Sequence, residues 1–267
     1  MHPILFEIPS LHFRFYSYGF LLVLGAIVAV LVSERIGPRW RDLPRPCALH
    51  IGIIIVVIGS AGGGLTQLLV QAVLDAGRSK VAFEGGALTG GMGVYFGGLV
   101  SGILGVAIYT RLRGLYWWPS ADVVFTTVPL AYAFARAGCF LAGCCWGRAC
   151  DLPWAVTFPA SAHARTGVPA GIPLHPVQLY GALASLLLSG FLYLVLRRKG
   201  WGGQVALLYL FLYGLIRFLL EFLRDDPRGS LLGLSTSQGI ALVFMAGAAT
   251  LWPVVRRLRL PPSCPRP

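Results

Sequence analysis

The sequence predicts an all-α, polytopic membrane protein of seven transmembrane helices, with its N-terminus outside and its C-terminus cytoplasmic. Three observations lead there. The 267 residues are 56% hydrophobic and only 12% charged, too apolar for an ordinary soluble domain. Several runs reach the roughly 20 apolar residues that a spanning helix needs. The formal charge of +12 is carried by residues lying between those runs rather than on one face, as membrane-flanking anchors do. That distribution argues against nucleic acid as a partner. No basic stretch followed by a short apolar block opens the chain, so no cleavable signal peptide is expected.

Apolar spans fall at about 16–33, 50–74, 94–110, 121–144, 174–196, 204–223 and 237–255, and the whole of 1–267 reads as one membrane domain. Thirteen lysines and arginines follow the first, third, fifth and seventh spans, Arg35, Arg39, Arg41 and Arg45 among them, against seven on the other side. The excess marks the cytoplasmic side. Glycines interrupt the second and third spans at Gly59 and Gly62–Gly64, Gly85-Gly86, Gly90-Gly91 and Gly97-Gly98. They permit either close helix packing or unwound backbone lining a cavity. The longest outer connection, 147–173, holds four prolines together with Trp154, Phe158 and His163, and reads as an ordered cap over the outer membrane face.

Chemistry concentrates in three places. In the fourth span Arg136 stands alone in the apolar run Ala131-Tyr-Ala-Phe-Ala-Arg-Ala-Gly-Cys-Phe-Leu-Ala-Gly-Cys-Cys-Trp-Gly147-Arg148. A charge in hydrocarbon costs about 2.5–3.5 kcal/mol on insertion scales, so such an arginine is read as functional. In the sixth span Arg217, Glu221 and Arg224 share a helix face at i, i+4 and i+7. One positive charge is left over there, and with Arg136 two helices could present guanidinium groups to one phosphate, a planar bidentate match. An interhelical salt-bridge network without a ligand is the alternative. Third, His175-Pro176 opens the fifth span, with Gln178 and Tyr180 on different faces behind it. A histidine at the positive end of a helix dipole favours the neutral imidazole, a candidate general base, or simply caps the helix. The six cysteines comprise Cys47, Cys264 and a cluster of Cys139, Cys144, Cys145 and Cys150. Their spacing fits none of the usual zinc patterns, and no metal or cofactor is expected. Cys139 and Cys144 read as small packing residues, and a disulfide from Cys144 or Cys145 to Cys150 is conceivable.

Taken together, these stretches resemble the prolipoprotein diacylglyceryl transferase family. The resemblance rests on Tyr18-Gly19, Gly90-Gly-Met-Gly-Val-Tyr-Phe-Gly97-Gly98, the run from Arg136 to Arg148, His175-Pro-Val-Gln178-Leu-Tyr180, and Arg217 to Asp226 followed by Leu234-Ser-Thr-Ser-Gln238. It implies transfer of the diacylglyceryl group of phosphatidylglycerol to the lipobox cysteine thiol of a prolipoprotein, with release of glycerol phosphate, in the bacterial inner membrane. It places the two essential arginines at Arg136 and Arg217 and the first-helix tyrosine at Tyr18. Substrate-binding positions are expected at Tyr95, Gly97, Gly98, Cys139, Gly147, Gln178, Tyr180, Glu221 and Arg224.

The chain departs from the family's pattern at several positions. Tyr95-Phe96 stands where the family has a histidine before the glycine pair, Cys139 and Ala142 replace asparagines, and Cys144 and Gly181 replace glutamates. The second span lacks the arginine expected near Gly64. The role of base therefore shifts to His175, with Tyr95 or Tyr18 as hydrogen-bonding partners. The missing histidine and carboxylates also carry a competing reading, a non-catalytic phospholipid-binding or transport protein on the same bundle. A conventional transporter is disfavoured, since no inverted repeat is visible.

Overall fold

The computed structural model describes residues 4–8, 13–76, 93–198, 200–226, 230–231 and 234–258. The early glycine pairs Gly85-Gly86 and Gly90-Gly91 fall outside them. Among the described residues, six helices are long and apolar enough to cross a membrane. They are α1 (Ser17–Trp40), α2 (Cys47–Ala76, apolar over Cys47–Leu69), α4 (Trp117–Ala142), α6 (Val177–Arg197), α7 (Gln204–Glu221) and α8 (Thr236–Arg257). Between α2 and α4 lies α3 (Gly93–Leu112), whose apolar stretch, Gly97–Leu112, is shorter. A seven-residue helix, α5 (Ala160–Thr166), and three two-stranded antiparallel sheets complete the described residues. The sheets pair β1 (Ile4–Ile8) with β2 (Phe13–Tyr16), β3 (Val156–Thr157) with β4 (Pro173–Leu174), and β5 (Ser230–Leu231) with β6 (Leu234–Ser235).

The bundle is apolar outside as well as in. On α6, Leu183, Leu187 and Leu194 are exposed while Gln178 and Ser185 are buried. Such a surface on a protein in water would drive aggregation, whereas in lipid it is the solvated face. The chain is therefore a multi-pass membrane protein, built around α4, which packs against α1, α6 and α7.

Glycine governs the packing of α2 on α3. Both helices run unbroken through their glycines, so these positions serve close packing and the backbone does not unwind there. A Cβ at Gly98 would meet the Gly59 carbonyl oxygen at 2.9 Å. Ser101 seals the contact by donating to the carbonyls of Gly97 at 2.6 Å and, across the interface, Ile58 at 3.2 Å. Small residues let membrane helices approach until such bonds form.

At the opposite end from the Arg136 turn, one ion pair joins three helices. Arg41, at the C-cap of α1, and Asp122, in the first turns of α4, are both fully buried and lie 3.0 Å apart. The two Asp122 oxygens also accept the backbone N–H groups of Gly203 and Ala206, each at 3.0 Å. These groups open α7, so Asp122 satisfies orphan donors of a neighbouring helix and sits at the positive end of its dipole. Around the pair lie Ile36, Leu43, Val123, Leu192, Leu196 and Val205. Arg41 is thus no flanking anchor in water, although it counts toward the basic excess.

Removing one partner of this pair strands the other charge in an apolar core. Asp122→Ala is expected to lower unfolding free energy in detergent by about 3–5 kcal/mol. The double substitution Arg41→Met/Asp122→Leu should recover most of that loss. An undiminished melting temperature for Asp122→Ala alone would show that the pair does not hold the helices.

Candidate active site

The last turns of α4 and the chain that follows form the centre of the site. Helix α4 stops at Gly143, whose backbone is left-handed (φ +79°) and whose N–H closes onto the carbonyls of Cys139 and Phe140. Two residues on, Cys145 is also left-handed (φ +61°). Two such turns in three residues fold the chain back over the helix end. Gly147 then forms a bridge with Arg224, while the Arg148 N–H donates to the Leu223 carbonyl at 2.9 Å and the Arg148 carbonyl accepts from His175 N at 2.9 Å. Only glycine fits at 147, because a Cβ would stand 2.6 Å from the His175 carbonyl oxygen.

Arg136 is buried, and among the described residues no carboxylate lies within ion-pair distance of it. Its guanidinium carbon is 5.8 Å from the centre of the Tyr132 ring, a cation–π contact. Across from it, α6 presents Gly181, where a Cβ would stand 3.2 Å from Arg136 Nε. Tyr18 of α1 lies against the same turn of α4, its Cα 3.1 Å from where a Gly138 Cβ would be.

The charged face of α7 carries its own compensation. Glu221 pairs with Arg217 at 3.0 Å and lies 3.7 Å from Arg224 Nε. Arg217 also donates to Ser237 Oγ at 2.8 Å, which ties α7 to the first turn of α8. Asp226 takes two hydrogen bonds from Arg224, each 2.9 Å. Burial alone would lower the Arg224 pKa, but the Asp226 bonds outweigh it and hold the guanidinium above its ordinary value.

At the head of α6, Pro176 is the N-cap and His175 precedes the helix, half-buried. Gln178 is fully buried and donates to the Cys144 carbonyl at 2.8 Å. Tyr180 points the other way, accepting from Trp154 Nε1 at 2.7 Å, with His175 Nδ1 3.5 Å from its hydroxyl. Trp154 belongs to the connection between α4 and α6, which folds through the β3–β4 pair, α5 and a cluster of Trp146, Phe158, Ala162, Val168 and Leu174. Thr166, the last residue of α5, donates to the Gly143 carbonyl at 2.9 Å and so ties this connection to the end of α4.

Three thiols share the turn. The sulfurs of Cys139, Cys144 and Cys145 all lie within 4.8 Å of one another. Hydrogen bonds from Cys139 and then Cys144 draw the Cys145 thiol below its ordinary pKa, helped by Arg224 and Arg136. Among the described residues none of Cys139, Cys144, Cys145 and Cys150 is in a disulfide, so the conceivable bridge from Cys144 or Cys145 to Cys150 is not made.

The family model described as prolipoprotein diacylglyceryl transferase matches residues 3–254. The chain belongs to the prolipoprotein diacylglyceryl transferase family. Among its relatives, a phosphatidylglycerol–prolipoprotein diacylglyceryl transferase of Clostridium tetani is 34% identical over 242 residues, covering 91% of this chain and 93% of the relative. One from Idiomarina loihiensis is 40% identical over 241 residues, covering 89% and 86%.

Within this family member, the sequence-predicted residues divide into groups. Arg136, Cys139, Gly147, His175, Gln178, Tyr18 and Arg224 gather around the end of α4. Arg217 joins them through Glu221, which lies between it and Arg224. Tyr180 faces Trp154, while Gly97 and Gly98 pack against α2. Tyr95 lies in the first turn of α3, and its side chain is outside the described residues. Sequence reasoning missed the convergence of the three thiols and the anchoring roles of Trp154 and Ser237. A left-handed non-glycine residue such as Cys145 leaves no trace in periodicity.

Glu221→Gln keeps the shape but removes the anion shared by Arg217 and Arg224. Loss of a hydrogen-bonded buried charge should cost about 1.5–3 kcal/mol in equilibrium unfolding in detergent. A variant as stable as the parent would show that the two arginines do not depend on Glu221.

Proposed function

We propose that this chain transfers the diacylglyceryl group of phosphatidylglycerol to the lipobox cysteine of prolipoproteins in the bacterial inner membrane, forming a thioether and releasing glycerol phosphate. The observation that carries this reading is Arg136, a buried guanidinium with no carboxylate partner among the described residues, in a chain of this family. A cation in that state is poised for an anion brought by a ligand. Phosphatidylglycerol brings one, and its phosphate gathers charge as the carbon–oxygen bond breaks. Fixed guanidinium groups in a water-poor site stabilise that developing charge. Arg136 and Arg217 serve as the clamp, with Arg217 held in position by Glu221 and Ser237 and Arg224 completing the positive wall.

The nucleophile is the substrate thiol, which attacks as thiolate. His175 accepts its proton, an assignment supported by the half-buried position before α6 and the nearby Tyr180 hydroxyl. Tyr18, lying against the Arg136 turn, orients the headgroup. Cys139, Gly147 and Gln178, gathered at the end of α4, line the headgroup site, while Gly97 and Gly98 serve it by packing α3 on α2 and Tyr180 by holding Trp154. In this reading α3 is a seventh span, the N-terminus lies outside, and residues 147–173 cap the outer face over the site.

Arg136→Ala and Arg217→Ala should each reduce thioether formation from phosphatidylglycerol and a lipobox peptide by at least about 100-fold, the scale of losing one transition-state donor. Mass spectrometry of the peptide product checks this. Phosphatidylglycerol binding without any product from the parent protein would replace catalysis with lipid binding alone. His175→Ala should move the activity profile to higher pH, toward the thiol's own pKa of about 8.5. An unchanged profile would remove His175 as base.

A further inference from the structure

The transfer reading gives the thiols at the end of α4 no chemical part. Cys139 sits on the last turn of the helix, and the left-handed backbone at Gly143 and Cys145 returns Cys144 and Cys145 to the same point. Three sulfurs within 4.8 Å of one another need only small side-chain rotations to reach the roughly 3.8 Å separation of thiolates bound to one tetrahedral zinc ion at about 2.3 Å. The five-residue gap followed by adjacent cysteines matches no common zinc spacing, so the site is visible only in three dimensions.

We propose that Cys139, Cys144 and Cys145 bind one Zn²⁺ ion and leave its fourth position open for the thiol of the substrate peptide. The inference rests on the transferase reading and deepens it. Three thiolates on a divalent ion carry one net negative charge, and a fourth thiolate adds another. Arg136 and Arg224 are both charge neighbours of Cys145; Arg224 is already paired with Asp226, so Arg136 brings the positive charge that offsets the metal-bound thiolates. Three protein ligands with one open position is the pattern of reactive zinc sites, whereas structural sites close with four. Zinc has no redox chemistry of its own and suits a substitution reaction.

The step balances without an oxidant. The substrate S–H proton passes to His175 as the sulfur joins the metal, since coordination favours the thiolate outright. The sulfur then forms its bond to the glycerol carbon, the carbon–oxygen bond to phosphate breaks, and the electron pair leaves with glycerol phosphate onto the guanidinium groups. The thioether product is a poorer ligand than thiolate and departs.

The test uses the full chain purified in detergent under reductant. After loading with Zn²⁺ and desalting, elemental analysis should find one zinc per chain. Cys139→Ser, Cys144→Ser and Cys145→Ser should each reduce this to background, with Cys47→Ser and Cys150→Ser keeping it. Replacement of zinc by Co²⁺ in the parent protein should give thiolate-to-cobalt charge-transfer absorption. A lipobox peptide bearing cysteine should change that spectrum, and its serine analogue should leave it unaltered, a readout independent of turnover and of how the variants fold. No stoichiometric metal, metal retained after all three substitutions, or a disulfide between two of the three in protein purified without reductant would overturn the site. Transfer at full rate in chelator-treated, metal-free protein would overturn the metal's role and leave the transferase reading standing. Cobalt spectra that respond to the peptide in a protein without transfer would keep the metal site and remove the transferase reading instead.

Discussion

The structure depends on how positive charge is compensated inside an apolar bundle. A guanidinium in hydrocarbon is costly, and the protein answers that cost differently at each arginine. Arg41 is neutralised by Asp122, Arg217 by Glu221, and Arg224 by Asp226 with Glu221 nearby. Arg136 alone among these buried or half-buried arginines has a tyrosine face and no carboxylate among the described residues. Those three arginines carry their own counter-charge, and the fourth keeps electrostatic capacity for a ligand.

That division follows from where the chain places its turns. Helix α4 begins beside the Arg41–Asp122 pair and ends beside Arg136, so one helix links the structural and the reactive ends. At the reactive end, Gly143 stops the helix and Gly147 lets the next strand of chain pass against His175 and the end of α7. Gln178 then stitches α6 to the same turn through the Cys144 carbonyl. Residues from α1, α4, α6 and the end of α7 meet at one place because backbone, rather than long side chains, makes most of these contacts.

Much of this was legible in the sequence, because membrane spans announce themselves by length and composition. The apolar runs anticipated each long helix to within a few residues, with α1 continuing to Trp40 as the largest extension. The arginine helix, the i, i+4, i+7 set on α7 and the histidine before α6 were readable as chemistry, since charges have few innocent reasons to stand in such runs. Long-range pairings were not readable. Arg41 looked like one more flanking cation, because nothing local reveals that Asp122 faces it across the bundle. The glycine pairs left close packing and unwound backbone both open, and two glycine-bearing helices in contact explain Gly97 and Gly98 through packing with Gly59 and Gly62. The three thiols were missed because their meeting depends on two left-handed residues, one of them a cysteine.

The central claim is that Arg136 is held without a carboxylate partner so that a lipid phosphate can pair with it. An experimental structure with phosphatidylglycerol bound tests it most directly. The account predicts a phosphate oxygen within hydrogen-bonding distance of the Arg136 guanidinium. A headgroup seated elsewhere, with Arg136 paired to a carboxylate of the protein, would contradict it.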